Sequence, residues 1–318
     1  MKGQNDRVTA RSTFSILLFL FVSVIEPVAV TYGSESVVRR IEVNGQSREY
    51  RLFVPGGVMD KHPPAFLILH GGYSNASRME RYSGFTTFAA SKGLVAVYPD
   101  GIDGHWNDGR INGQQSTADD LSFLRKLIQS LVAEGIDAKR VYVAGISNGG
   151  MMALHMACTM PDAIAGIAVV AASQPVDATC PSPRPLPVIL FHGTADRIVP
   201  IGGGSVGGRG THGAVKSHAE TVSFWQKEND CGPTPTHSIV GQGSADGIHV
   251  SVEQFPCPPG KGLENVIIEG GGHTWPGAHQ NFLLTNRLGP VTDAIDANQM
   301  MWTFLQSQAV AGSKGSTE

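Results

Sequence analysis

The feature that most constrains the fold is a serine between two glycines, placed where an apolar run gives way to helix-forming residues. Residues 141–144 are apolar and favour a β-strand, and the next residues are Gly145-Ile146-Ser147-Asn148-Gly149. Small and apolar residues then continue to residue 160. A sharp turn from strand to helix lifts the serine hydroxyl clear of a sheet, and glycine is needed on both sides because a Cβ atom would collide there. The N-terminus of the helix favours negative charge beside Ser147. The pattern predicts a nucleophilic serine at position 147.

The remainder of the chain alternates between apolar runs and amphipathic segments. Five apolar runs are suited to buried parallel strands, at residues 65–69, 94–98, 164–172, 188–191 and 266–268. A hairpin with an Asn-Gly turn is predicted over residues 40–54, and helices over residues 116–133, 214–227 and 293–308. This alternation indicates an α/β fold with a doubly wound, mostly parallel sheet. In such sheets the active groups collect at the carboxyl ends of the strands.

Residues 1–36 have the layout of a secretory signal peptide. Lys2, Arg7 and Arg11 precede an apolar stretch over residues 14–25, and small residues follow before Ser34. The apolar stretch is short for a bilayer span, so we favour a leader over an uncleaved membrane anchor. We assign residues 1–36 to a signal peptide, 37–310 to one catalytic domain and 311–318 to a disordered tail. We expect a secreted or periplasmic protein.

Charge and cysteine content narrow the range of partners. A net charge of −3 over 318 residues gives no electrostatic basis for binding nucleic acid or an anionic membrane. Four cysteines in an exported chain indicate two disulfides, with three possible connectivities. Sequence proximity favours Cys158–Cys180 and Cys231–Cys257, and buried free thiols are the alternative. A metal site is disfavoured because no C-x-x-C or H-x₃-H pairing is present. The sequence does not indicate an oligomeric state.

Two later strand ends supply the partners that a nucleophilic serine needs. Asp196 follows the run at residues 188–191, and His273 follows the run at residues 266–268. A neutral His273 can accept the proton of Ser147, while Asp196 fixes the tautomer and stabilises the imidazolium that forms. Other carboxylates that could orient the imidazole are Asp119, Asp120 and Glu269. Two further histidines, His70 and His192, are expected to stabilise loops by hydrogen bonding.

The oxyanion that forms during attack on an acyl carbon needs preorganised donors. One predicted donor is the backbone N–H of Asn148, and the other is the N–H of Gly72 or Tyr73, between which the sequence does not distinguish. The candidate substrate-binding residues are Trp106, Asn107 and Trp275, although aromatic residues at the base of loops are as often plain packing. No metal and no organic cofactor is needed for this chemistry.

Together these motifs resemble the polyhydroxybutyrate depolymerase/feruloyl esterase family of α/β-hydrolases. The resemblance spans residues 38–308 and is carried by His70-Gly71-Gly72, Tyr98-Pro99-Asp100-Gly101, Trp106-Asn107, the Ser147 motif, His192-Gly193-Thr194-Ala195-Asp196 and Gly270-Gly271-Gly272-His273-Thr274-Trp275-Pro276-Gly277. It implies the α/β-hydrolase fold and an exported serine esterase with Ser147, Asp196 and His273 as its triad. It also supports the two disulfide pairs favoured above.

The resemblance leaves several substrates open. Depolymerases that act on solid polyester commonly carry a linker and a binding domain after the catalytic domain, and this sequence has neither. Short hydroxyalkanoate oligoesters are therefore the expected substrates, with feruloyl or acetyl esters of plant polysaccharide as the alternative. A serine peptidase is a further alternative, although no propeller or cap domain of useful length precedes Ser147. A non-catalytic binding protein is disfavoured by the intact triad.

Overall fold

A computed structural model describes residues 33, 35–113, 116–181, 183–208, 212–241, 248–278 and 287–315, all within one compact unit, Tyr32–Glu318. Most of the predicted signal peptide, residues 1–32 and 34, lies outside the described residues. Within the ranges given, none of the helices combines the length and the hydropathy that crossing a bilayer requires.

A ten-stranded sheet forms the centre of the described chain. Its strands are β1 (Val37–Val43), β2 (Gln46–Phe53), β3 (Ala65–Leu69), β4 (Val95–Pro99), β5 (Val141–Ile146), β6 (Gly166–Val170), β7 (Val188–Gly193), β10 (Thr236–Val240), β11 (His249–Phe255) and β12 (Leu263–Glu269). They lie in the order β1-β2-β4-β3-β5-β6-β7-β12-β11-β10. The six strands from β4 to β12 in this order run parallel, and an antiparallel pair extends each edge. A separate two-stranded ribbon pairs β8 (Gly204–Ser205) with β9 (Ala214–Val215).

The central strands are buried because they are apolar on both faces. Every residue of β3, β4, β5, β6 and β7 is buried. Continuous burial is what parallel strands covered by helices require, whereas alternating burial marks a strand with one face in water. The alternating pattern occurs in β1, at the edge of the sheet. The predicted α/β fold with a mostly parallel sheet is confirmed.

Six α-helices within the described residues pack against the sheet. They are α1 (Ala76–Ser83), α2 (Phe85–Lys92), α3 (Asp120–Ala133), α4 (Asn148–Thr159), α5 (His218–Glu228) and α6 (Ala297–Gly315). Helix α3 begins later than the sequence predicted, because Asp119 rather than a residue near 116 accepts the capping bond, from the N–H of Ser122. Helix α6 continues through residues 311–315, for which disorder was expected.

Both cysteine pairs that sequence proximity favoured are disulfides in the structure. Cys158, near the end of α4, is bonded to Cys180 in the segment between β6 and β7. Cys231, shortly after α5, is bonded to Cys257, which follows β11. Cross-links of this kind restrict the unfolded chain and are stable in oxidising compartments.

Candidate active site

The turn between β5 and α4 holds Ser147 in a strained backbone conformation. Its φ of 56° and ψ of −123° lie outside the regions that residues with a Cβ atom favour. A Cβ atom on Gly145 would lie 2.3 Å from the carbonyl oxygen of Gly149, and one on Gly149 would lie 2.5 Å from that of Leu69. Both glycines are therefore sterically required. The Ser147 N–H donates to the carbonyl of Val170 on β6, which anchors the turn at the carboxyl end of the sheet.

A buried carboxylate and a buried imidazole meet at the same edge. The Nδ1–H of His273 donates to Oδ2 of Asp196 over 2.8 Å, and both residues are 6% exposed. The other oxygen of Asp196 accepts from the N–H groups of Ile198 and Val199. Because the carboxylate is held by three donors, its orientation is fixed and it selects the tautomer of His273 that leaves Nε2 free to accept a proton.

The loops that carry Asp196 and His273 meet because β7 and β12 are adjacent parallel strands. The N–H of Ala195 donates to the carbonyl of Gly271 over 2.9 Å, which joins the two loops directly. Parallel neighbours end at the same edge of a sheet, so two residues 77 positions apart in sequence come into contact.

The other carboxylates considered for the imidazole are engaged elsewhere. Asp119 caps α3, and Asp120 forms a buried ion pair with Arg48 over 2.6 Å. Glu269 accepts from a threonine hydroxyl in the loop after β7. Among these candidates, only Asp196 contacts the imidazole.

The predicted oxyanion donors lie beside the nucleophile turn. A Cβ atom on Gly71 would lie 3.5 Å from Cβ of Ser147, and one on Gly72 would lie 3.8 Å from Cβ of Asn148. The next residue, Tyr73, has a φ of 60°. The loop after β3 therefore runs against the N-terminus of α4, beside the Ser147 turn.

The side chain of Asn148 holds the loop that follows β4 through three hydrogen bonds. Its Oδ1 accepts from the N–H of Trp106 over 2.8 Å, and its Nδ2 donates to the carbonyl of Trp106 and to Oδ2 of Asp108 over 2.6 Å. Asp108 in turn pairs with Arg110 over 2.7 Å, and these two side chains are 2% and 3% exposed. Sequence analysis missed this network, because Asp108-Gly109-Arg110 in a polar loop is indistinguishable from an exposed turn.

Replacing Asn148 with aspartate is expected to lower kcat by about 10²-fold with little change in KM. The new carboxylate would face the buried carboxylate of Asp108 at hydrogen-bond distance, and the repulsion would displace the turn that carries the nucleophile. Steady-state kinetics on an activated ester measure the effect. The matched control is Gln306→Glu, the same change from amide to carboxylate at an exposed position on α6, for which kcat should stay within about twofold of wild type. Equal losses of kcat in the two variants would show that the hydrogen bonds of the Asn148 side chain do not position the Ser147 turn.

Two of the three residues expected to bind substrate, Trp106 and Trp275, are buried in the structure, which corrects the prediction for these two residues. Trp106 and Trp275 are both 0% exposed. The indole N–H of Trp106 donates to the carbonyl of His70, and that of Trp275 donates to Oδ1 of Asn298. Buried indoles pack the interior and satisfy their one donor there, so neither ring lines a pocket. Asn107 donates its side-chain amide to the carbonyl of residue 118 and thereby supports the loop.

Three buried histidines lie near the site, and one of them, His192, has its Nε2 3.8 Å from Oδ2 of Asp196. His70 donates from Nδ1 to the carbonyl of Gly71 and accepts at Nε2 from the N–H of Gly101, as the sequence predicted for a residue that stabilises loops. His192 donates to the carbonyl of Val199, and its ring lies 4.7 Å from that of His218. Burial lowers the pKa of His70 to about 4 and that of His218 to about 3. Burial also lowers the pKa of His192.

The lowered pKa values of these histidines predict that the folded protein loses stability in acid. In the unfolded chain a histidine takes up its proton as pH falls through about 6.5, whereas His70 and His218 stay neutral in the folded protein until about pH 4 and pH 3. Between pH 6.5 and pH 4 each group should therefore lower the free energy of unfolding by about 1.4 kcal/mol per pH unit. Urea unfolding at several pH values measures this slope. His218→Gln should have a shallower slope than wild type, and identical slopes would contradict the assignment.

Comparison with known proteins identifies the family. A family model described as phospholipase/carboxylesterase matches residues 103–239. The putative esterase NocK of Nocardia uniformis subsp. tsuyamanensis is 31% identical over 256 residues, which cover 76% of this chain and 74% of that protein. Feruloyl esterase B of Piromyces equi is 30% identical, over 70% of this chain and 41% of that protein. Poly(3-hydroxyalkanoate) depolymerase C of Paucimonas lemoignei is 27% identical, over 86% and 70%.

A solved structure shares the fold. The acetyl xylan esterase of Aspergillus awamori superposes with a TM-score of 0.55 at 15% identity, over 75% of this chain and 94% of that chain. At such identity the likeness concerns architecture alone. Together with the family model and the similarity to NocK, the sheet and its carboxyl-edge loops lead to one conclusion: the chain belongs to the same esterase family as NocK, has the α/β-hydrolase fold and is a carboxylic ester hydrolase.

Proposed function

We propose that the protein hydrolyses carboxylic esters through an acyl intermediate on Ser147. The observation that supports this most directly is the hydrogen bond between His273 and Asp196 at the edge of the sheet where the strained Ser147 turn lies. In the proposed reaction, Nε2 of His273 takes the proton of the Ser147 hydroxyl as Oγ attacks the acyl carbon. The imidazolium then gives that proton to the leaving alcohol, and the ester bond breaks.

Water completes the cycle in the same way. His273 takes a proton from a water molecule, the resulting hydroxide attacks the acyl carbon, and the proton returns to Ser147 as its bond to the acyl group breaks. The N–H of Asn148 and that of Gly72 or Tyr73 hold the oxyanion in both steps. All reacting groups are side chains or backbone groups of this chain, and the atoms balance with ester and water as the only reactants.

Short hydroxyalkanoate oligoesters are the proposed substrates. The similarity to the depolymerase of Paucimonas lemoignei, which extends over 86% of this chain, supports this class. Feruloyl or acetyl esters of plant polysaccharide form the second candidate class, which the 30% identity to feruloyl esterase B supports. We propose that the enzyme works outside the cytoplasm, because it carries two disulfides and a sequence with the layout of a leader.

Active-site labelling followed by a substrate panel tests the proposal. A fluorophosphonate probe should modify the protein once, and peptide mapping should place the adduct on Ser147. Hydroxybutyrate trimers, methyl ferulate and acetylated xylan should then be compared at equal enzyme concentration by kcat/KM. Preference for the trimers supports the first substrate class, and preference for methyl ferulate or acetylated xylan supports the second. An adduct on another residue would contradict the mechanism.

A further inference from the structure

Three large apolar side chains are exposed around the nucleophile turn. Tyr73 is 63% exposed, Ile111 is 70% exposed and Val176 is 52% exposed, and they are half of the six large apolar residues exposed in the described part of the chain. Single exposed apolar residues are common, but a group at one place indicates a binding surface. Tyr73 follows β3, Ile111 lies in the loop after β4 and Val176 follows β6, so all three lie at the carboxyl edge near Ser147. We call these three residues the apolar rim.

The members of the apolar rim are joined by contacts among their loops. Asp177, next to Val176, accepts from the N–H groups of Ile111 and Asn112 over 3.2 Å and 2.7 Å, which ties two of the loops together. The N–H of Val176 donates to the carbonyl of Ala214. These bonds fix Ile111 and Val176 as neighbours in spite of their exposure.

Tyr73 is held at the surface by its backbone and by ring contacts. Its φ of 60° is unfavourable for a bulky residue, and strain of this kind persists only where the surrounding structure enforces it. The ring of His105 stands edge-on at 4.4 Å, and the ring of His212 lies at 6.3 Å. The other side of the loop contacts Ser147 and Asn148, so the exposed ring belongs to the surroundings of the nucleophile.

The sheet order determines which half of an ester can contact the rim. The strands lie in the order β4-β3-β5-β6-β7-β12, so the loops with Tyr73 and Ile111 leave the sheet on the opposite side of Ser147 from His273. Val176 follows β6, on the His273 side of Ser147, and is joined to the Ile111 loop through Asp177. The imidazole must reach the leaving oxygen to protonate it, so the alcohol lies towards His273. The acyl group then extends away from His273, towards Tyr73 and Ile111, and Val176 borders this part of the rim through the bond between Asp177 and Ile111.

We propose that the apolar rim binds the acyl chain of the substrate and selects esters whose acyl group is longer than acetyl. The proposal rests on the proposed function of Ser147 and deepens it, because it names the half of the ester that is recognised. Binding of methylene groups to an apolar surface favours longer acyl chains in the transition state as well as in the complex. Of the substrate classes considered above, the rim favours hydroxyalkanoate over acetyl esters.

An acyl-chain series measures the selectivity. We expect Ile111→Ser and Val176→Ser each to lower the ratio of kcat/KM for p-nitrophenyl octanoate to that for p-nitrophenyl acetate by about tenfold. The matched control is Ile239→Ser, because Ile239 is 60% exposed but lies on β10, the strand at the far edge of the sheet. That variant should keep the wild-type ratio.

A second series separates the acyl from the alcohol half. Butyl and octyl butyrate differ only in the alcohol, and their ratio of kcat/KM should be the same in wild type and in both rim variants. A change in this ratio with none in the acyl ratio would overturn the assignment of the rim to the acyl chain. If both rim variants kept the wild-type ratios in both series, the apolar rim would have no role in binding the ester. Absence of hydrolysis and of fluorophosphonate labelling in the wild-type protein would instead refute the proposed function, and the role of the rim with it.

Discussion

Replacing Ser147 with alanine is expected to lower kcat for p-nitrophenyl butyrate by about 10⁵- to 10⁶-fold. The substitution removes Oγ, the oxygen that attacks the acyl carbon in the proposed mechanism, and it leaves the oxyanion donors in place. The fold should survive, because the side chain of Ser147 caps no helix and its backbone bond to Val170 does not depend on the hydroxyl. A methyl group in place of a hydroxymethyl group is smaller, so no steric conflict arises.

Burst-phase and steady-state kinetics on purified protein measure the effect. Ser173→Ala is the matched control: Ser173 follows the neighbouring strand β6, it is buried, and its hydroxyl has no hydrogen-bond partner among the described residues. That variant should retain activity within a few-fold of wild type. If Ser147→Ala retained more than about 1% of wild-type kcat, another nucleophile would have to be sought.

Replacing Asp196 with asparagine is expected to lower kcat by about 10⁴-fold while the protein stays folded. The amide oxygen can still accept from the N–H groups of Ile198 and Val199, so the loop after β7 keeps its bonds. The amide nitrogen then faces Nδ1 of His273, which must become the acceptor. The proton moves to Nε2, and the imidazole can no longer accept the proton of Ser147.

The matched control for Asp196 is Glu269→Gln. Glu269 is a carboxylate at the same edge of the sheet, and its bond to the Thr194 hydroxyl joins the same two loops. We expect this variant to keep kcat within a few-fold of wild type, with activity measured across a range of pH. A large loss for Glu269→Gln together with a small loss for Asp196→Asn would show that Glu269, and not Asp196, orients the imidazole of His273.

The parts of the fold and site that sequence analysis predicted are those with strong local signals. Buried parallel strands have continuous apolar runs, and the strained turn at Ser147 requires glycine on both sides. Asp196 and His273 could be selected because each directly follows an apolar run, and parallel strands end at a common edge. The antiparallel strand β10 gave no such signal, because it is almost entirely exposed and carries little apolar pattern.

The remaining features depend on contacts between distant parts of the chain. Asp108 contacts Asn148 across 40 positions, and no local pattern in a polar loop reports that its carboxylate is buried. The indole of Trp106 finds its acceptor 36 positions away, so an aromatic residue that suggested a pocket became part of the interior. Side chains with both apolar and polar atoms can pack in the interior or line a pocket, and only the tertiary structure decides which of the two occurs.

The position of β12 in the chain has a consequence during biosynthesis. The nucleophile turn needs only β5, α4 and their neighbours, but His273 reaches Asp196 only after β12 has paired with β7, and β12 begins at Leu263. On the proposed mechanism, a nascent chain that has not yet produced this strand contains Ser147 without the imidazole that would act as its base. On the proposed mechanism, full esterase activity therefore appears only after β12 has been made and has paired with β7.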